Sequence, residues 1–291
     1  MKVLKYLIEA ILIYILFLLF KIVGIDYGRK ISSIFISKIG FFFRKKELIK
    51  KNISNVFKNY SDSQIENIMK LMWTNYGYVF AEYVYLKKFR FNKFSKDYIK
   101  IQGENILNEI IQSKKPTIFV SGHFANFELM AMELEKRKIK LAAIYRPLNN
   151  IFLNPFMVFL RKNYICKNQI KKGLQGTRDI INFVKENNSI ALMVDQRVGE
   201  SERYPFFGIP AHTTTIPAQL ALKFNLNIVP IYLERKSDNS FLMEVLSPIK
   251  IDKTNNLQLD KKNITIKINR VIEKMILKNP GQWIWTHSRW K

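Results

Sequence analysis

From Thr117 onward, short apolar runs alternate with stretches of helical periodicity, and this alternation constrains the chain more than any other feature. The runs 117–121, 141–145, 190–194, 228–234 and 241–246 read as strands, because each is a brief apolar stretch bounded by polar residues. Helices are expected over 126–137, 155–163, 176–186, after Thr215, and over 264–277. Short strands that are apolar throughout are covered on both faces, and the intervening helices supply the crossovers that parallel neighbours need. The expected fold is therefore α/β, a mainly parallel sheet flanked by helices. In such sheets ligands gather at the carboxyl ends of strands. His123, Arg146 and Asp195 each lie at or just past the end of an expected strand, so all three can point into one crevice.

The chain before that region is helical in pattern. Residues 47–88 carry a helical repeat, with Ile53, Val56 and Phe57 on one face and Ile65, Ile68, Met69 and Met72 on the next. The extreme amino terminus is different, an apolar run from Leu7 to Phe20 between Lys5 and Lys21. A bilayer span needs about 20 apolar residues. This run is shorter and contains Glu9, which leaves a short tilted span or a helix embedded in one leaflet. A signal peptide is the competing reading; no small-x-small cleavage site follows, so retention is expected. A second apolar piece, Ile34–Ile36 with Phe41–Phe43, precedes Arg44-Lys45-Lys46, a pairing that suits an anionic cytoplasmic leaflet. A buried pair of core helices is the alternative. The expected division is an anchor over 1–30, a helical region packing on the core over 31–100, and the α/β domain over 101–291.

The formal net charge of +25 points to an anionic partner, nucleic acid, acidic lipid or an acidic carrier protein, with a Lys-rich coding bias as the alternative source of part of the excess. No helix-turn-helix signature or aromatic RNA-binding motif supports the first, so no nucleic-acid partner is expected. Cys166 is the only cysteine, which excludes an internal disulfide and any zinc site built from several thiolates. There is no Gly-x-Ser-x-Gly elbow, phosphate-binding Walker loop or dinucleotide glycine fingerprint. Neither a metal nor a cofactor is expected.

The densest chemistry lies in Ser121-Gly122-His123-Phe124-Ala125-Asn126-Phe127-Glu128-Leu129. On one regular helix, His123 and Glu128 would point about 140° apart. They converge only if His123 sits in a turn and Glu128 in the first turn of the next helix, where the helix dipole favours a carboxylate. Gly122 is expected to lend that turn its backbone freedom. A carboxylate on one imidazole nitrogen fixes the tautomer, so the other can take a proton from a hydroxyl. The plainer alternative is a surface His beside a helix-start Glu.

These residues are accompanied by Tyr145-Arg146-Pro147-Leu148-Asn149-Asn150, Gly173 ahead of a helix, Val194-Asp195-Gln196-Arg197, Phe206-Phe207-Gly208-Ile209-Pro210-Ala211, and Gln282-Trp283-Ile284-Trp285-Thr286-His287-Ser288-Arg289-Trp290. With the His-x4-Glu pair and the amino-terminal helix, this ordered series resembles the bacterial lipid A biosynthesis acyltransferase family. Its members are late enzymes that add secondary acyl chains to a membrane saccharolipid. The blocks cover nearly the whole length. Phe127 stands where a Trp is common, and Thr286–Arg289 is a looser version of a more basic ending.

The resemblance implies a glycerolipid acyltransferase-like fold and transfer of an acyl group from acyl carrier protein, as co-substrate, to a hydroxyl of an anionic lipid A precursor. It implies the cytoplasmic face of a bacterial inner membrane; a glycerolipid or phosphatidylinositol mannoside is the alternative acceptor. It makes His123 the general base, with Glu128 to orient it and Asp195 as rival or additional orienter. Arg146 then serves an oxyanion or a substrate phosphate. Arg197 is either a site residue or an ion-pair partner of Asp195. Asn126 offers an amide, with helix capping the favoured role. Gly208 and Pro210 are expected to shape a loop over the crevice, Thr215 to cap a helix, and at least one of Trp283, Trp285 and Trp290 to be core.

Overall fold

A computed structural model describes residues 2–199 and 201–291, the side chain of Phe43 excepted. Helices α1 (Lys2–Val23), α2 (Ile25–Phe43), α3 (Lys46–Val56), α4 (Asp62–Glu82) and α5 (Leu86–Arg90) come first. A capping box starts α4, with the Ser61 hydroxyl accepting from the Gln64 amide while the Gln64 side chain accepts from the Ser61 N–H. Its apolar face, including Ile65, Ile68, Met69, Met72 and Trp73, joins the main core. The α2–α4 crossing is close because Gly77 lacks a side chain: a Cβ there would stand 2.3 Å from the Ser33 Cα.

The remaining chain alternates as expected. The elements are β1 (Ile99–Gln102), α6 (Glu104–Ser113), β2 (Thr117–Ser121), α7 (Glu128–Lys136), β3 (Leu141–Tyr145), α8 (Asn154–Leu160), β4 (Asn168–Lys171), α9 (Leu174–Lys185) and β5 (Ser189–Met193). A hairpin of β6 (Arg203–Phe206) and β7 (Ile209–His212) precedes α10 (Ile216–Phe224), β8 (Asn227–Arg235), β9 (Phe241–Val245) and α11 (Leu257–Lys278). The seven-stranded sheet has the order β1-β9-β8-β2-β5-β3-β4. Its pairings are parallel except β8 with β9. The chain thus adopts the expected α/β architecture, a mainly parallel sheet flanked by helices behind an apolar amino-terminal helix.

Central strand β2 is buried at every residue, and alternate side chains enter opposite cores. Ile118 and Val120 pack with Ile190, Leu192, α10 and α11, whereas Phe119 packs with Ala191, Val229 and α7. Several elements differ from expectation. The edge strands β1 and β4 lack a continuous apolar run, since half-exposed edges alternate with polar residues. The Gly208 segment is a tight two-residue turn, Phe207 at φ 52° and Gly208 at φ 74°, joining β6 to β7 and not a loop lining the crevice. Helix α11 begins at Leu257, capped by Asn256, because its first turns are polar and hide their periodicity. Helix α8 ends at Leu160 and passes into a π-helical turn, Arg161–Ile165.

Candidate active site

His123 and Asp195 meet through strand register. Ser121 pairs with Met193 in the parallel β2–β5 ladder, so the residues just beyond the two strand ends face each other. The Asp195 carboxylate takes the His123 backbone N–H at 2.9 Å on one oxygen and stands 2.8 Å from ring Nδ1 on the other. Trp283 adds a third contact, its indole N–H donating to Asp195 at 2.8 Å. Burial opposes ionisation of Asp195, but the neighbouring His123 imidazole and backbone N–H together with the Trp283 indole outweigh it and hold the carboxyl below its ordinary range. Nδ1 thus carries its proton toward Asp195, which leaves Nε2 as the free acceptor, 3.5 Å from the Gln196 amide nitrogen. Phe127 packs edge-on against the imidazole at 4.6 Å between centroids.

The expectation that Glu128 orients His123 does not match the geometry. Glu128 does open α7, as the spacing suggested, but its carboxylate turns to Arg161 and Tyr83. Arg161 donates from Nη2 at 2.6 Å and Nε at 2.9 Å, and the Tyr83 hydroxyl donates at 2.8 Å. No hydrogen bond joins Glu128 to the imidazole among the described residues. Gly122 contributes space, not a left-handed turn: a Cβ would lie 2.7 Å from the Phe124 ring and 3.3 Å from the Asp195 Cβ. The left-handed residue of this turn is Ala125, at φ 44°.

Asn126 is not a side-chain helix cap. Its amide donates at 2.9 Å to Glu82, a fully buried carboxylate that also receives Arg29 at 2.7 Å and both terminal nitrogens of Arg235. Burial works against the Glu82 charge, and the two guanidinium groups overcome it to keep the carboxyl below its usual range. The turn that carries His123 is therefore tied to a buried ion cluster at the end of α4. Thr215 stands at the start of α10 without capping it by its side chain.

A cavity of about 260 Å³ opens at the carboxyl ends of β2, β3 and β5, with His123 in its wall. Met130, Ala131, Ala143, Ala191 and Met193 give it an apolar side, while Arg146, Lys172 and Arg197 supply cations. Burial first, and then the charge of Arg146, lowers the pKa of Lys172. Arg197 does not pair with Asp195; its backbone N–H donates to His287 Nδ1 at 3.3 Å. His287 also lines the cavity, and burial lowers its pKa from the usual 6.5 to about 4, so it stays neutral and accepts. A second, apolar cavity of about 250 Å³ shares His123 and Phe127 and lies against Tyr76, Val79, Phe80 and Tyr83. The imidazole thus stands between two hollows.

The whole chain, residues 1–291, matches the model of a family described as bacterial lipid A biosynthesis acyltransferase. The chain belongs to that family. Lipid A acyltransferases at moderate distance agree with it. The lipid A biosynthesis palmitoleoyltransferase of Escherichia coli K12 is 22% identical over 258 residues, covering 86% of this chain and 80% of the relative. The lipid A biosynthesis acyltransferase of Haemophilus influenzae is 23% identical, covering 85% and 78%, and the E. coli lauroyltransferase is 23% identical, covering 86% and 80%. Membership in the lipid A acyltransferase family makes the chain an acyltransferase of lipid A biosynthesis.

Sequence reasoning about this lipid A acyltransferase missed Arg161, Tyr83 and the contact from Trp283. Arg161 offered a signal, a cation directly after the apolar run Phe156–Leu160. Trp283 and Trp285 are both buried, and Trp290 is half-buried with its indole on the Phe206 carbonyl. Arg289 is also buried, held by the His212 carbonyl and the Thr213 hydroxyl, so the basic ending braces the interior.

Proposed function

We propose that the protein is a membrane-associated enzyme that moves a fatty acyl chain from acyl carrier protein to a hydroxyl of a lipid A precursor, at the cytoplasmic face of a bacterial inner membrane. The carrying observation is the His123–Asp195 pair, with Nδ1 committed to a buried carboxylate and Nε2 facing a cavity that is apolar on one side and cationic on the other.

In this reading Nε2 removes the proton from the acceptor hydroxyl as its oxygen attacks the thioester carbonyl carbon. A carbon–oxygen bond forms, the carbon–sulfur bond breaks, and the imidazolium returns the proton to the departing sulfur. Proton transfer by a base positioned in this way is worth about 10²–10⁴ in rate, and Asp195 stabilises the transient imidazolium. Gln196 is the amide donor nearest the reacting nitrogen. Arg146, exposed at the rim beside Lys172, suits a phosphate of the acceptor, since guanidinium offers a planar fork of donors. Arg197 extends the same cationic rim, and the basic surface suits an acidic carrier protein. Glu128 acts by holding Arg161 at the cavity wall. The exposed apolar residues of α1 support membrane association.

The test is acyl transfer from a panel of acyl carrier protein thioesters to lipid A precursors, read by mass. His123→Ala should abolish product while the protein stays folded. Near-normal turnover by that variant removes the base assignment, and product on a glycerolipid alone removes the acceptor assignment.

A further inference from the structure

The amino-terminal helix is long and apolar enough to cross a bilayer, yet one side of it is packed on the catalytic domain along most of its length. Ala10, Phe17 and Phe20 are buried and Tyr6, Ile13 and Leu16 are half-buried, a stripe with helical spacing. From Tyr6 to Phe20 that stripe covers about 21 Å of the axis. Phe17 lies against Phe80 of α4 and Phe156 of α8, with centroids 5.0 and 6.0 Å apart. Tyr85 donates its hydroxyl to the Phe20 carbonyl.

Polar clasps hold the other end. Asn150, buried in the loop after β3, donates to the Tyr6 carbonyl at 2.8 Å and to Glu9 at 3.3 Å. The Asn150 side-chain oxygen accepts from the Phe152 and Leu153 amides, and the Tyr14 hydroxyl donates to the Phe152 carbonyl at 3.0 Å. The loop is irregular backbone, running from Arg146 on the cavity rim to Leu153.

If α1 crossed the hydrocarbon, whose thickness is about 30 Å, this loop would be drawn across it with the helix. Irregular backbone does not persist beside lipid tails, because its amides and carbonyls have no water to replace their missing partners. Glu9 and Arg146 would add charge at the same depth. The outward face of α1 has the opposite character: Leu4, Ile8, Ile11, Ile15, Leu18 and Ile22 are 49–73% exposed. Lys2, Lys5 and Lys21 flank it, and the chain carries +25 overall, so the occupant that satisfies both is an anionic bilayer surface.

We infer that α1 lies within one leaflet with its inner face clamped to the catalytic domain by Asn150 and Phe17, and does not cross the membrane. This rests on the membrane association proposed above. Because one loop carries both the clasp and Arg146, the cavity mouth sits at the headgroups, and an acceptor lipid reaches His123 sideways from the leaflet.

Single cysteines placed by Lys2→Cys or Lys58→Cys in full-length Cys166→Ser protein test this with a membrane-impermeant maleimide, in inverted and right-side-out vesicles. Labelling of both positions from the same side is expected. Labelling of Lys2→Cys only from the side opposite Lys58→Cys overturns one-sided docking and leaves membrane association standing. Protein left in the supernatant after vesicles are pelleted removes membrane association, and the inference with it. A benzophenone side chain in place of Tyr14, irradiated in vesicles, should crosslink to the segment around Phe152; crosslinks to lipid alone overturn the clamp.

Discussion

Asp195 grips His123 twice, through the backbone N–H and through Nδ1, so the carboxylate fixes both where the turn sits and which way the ring faces. The contact follows from the Ser121–Met193 register of two neighbouring parallel strands, a long-range fact that distance along the chain does not report. The imidazole is thereby tied to two neighbouring strands of the sheet.

Asp195→Asn should therefore cost far more than its conservative shape suggests. The amide cannot match the charge that supports the imidazolium, and it can present its NH2 to the ring and select the wrong tautomer. We expect kcat for acyl transfer to fall about 10²–10⁴-fold with little change in KM. Single-turnover assays on folded protein, checked by circular dichroism, measure this; a loss under threefold would contradict the role.

Glu128→Gln should act first on stability. It leaves the Arg161 guanidinium, largely shielded at the cavity wall, without its counter-charge, and breaking a buried pair typically costs about 3–5 kcal/mol, an upper bound for this one. Urea unfolding should show the loss. In the folded fraction, the pH–rate profile should keep its shape, because the His123–Asp195 pair is untouched. A profile altered as by Asp195→Asn would restore Glu128 to the imidazole.

Acid should destabilise the fold partly through His287. Its folded pKa, about 4, lies below the unfolded value near 6.5. The unfolded chain therefore binds the extra proton first, and stability present above pH 6.5 is lost as pH falls toward 4. Asp195 adds a loss at lower pH, as its depressed carboxyl is protonated. Melting temperatures across this range should fall less steeply for His287→Gln, which keeps an acceptor for the Arg197 amide. Equal slopes would remove His287 from the account.

Gly77→Ala should loosen the α2–α4 crossing, since the added methyl meets Ser33 backbone that cannot turn aside. Overpacking of this kind costs about 1–3 kcal/mol. A lowered melting temperature with normal activity per folded molecule is the expected result.

Strands β2 and β3 are legible to the residue because each is a short, mostly apolar run that ends sharply at polar or turn residues. Strand β4, Asn168–Lys171, is not, since an edge strand needs only one buried side chain and Ile170 supplies it. The candidate site divides in the same way. His123 and the end of β5 were legible from strand ends, whereas proximity in sequence favoured Glu128 as partner over the more distant Asp195. Trp283 reaches the site only through tertiary packing, and the cation that follows Phe156–Leu160 does not say which carboxylate Arg161 will meet.

The indole of Trp283 reaches Asp195 across 88 positions of chain. During synthesis, the imidazole and its carboxylate are both made well before that last donor. A nascent chain that stops short of Trp283 therefore holds both members of the pair and still lacks the indole that braces the carboxylate.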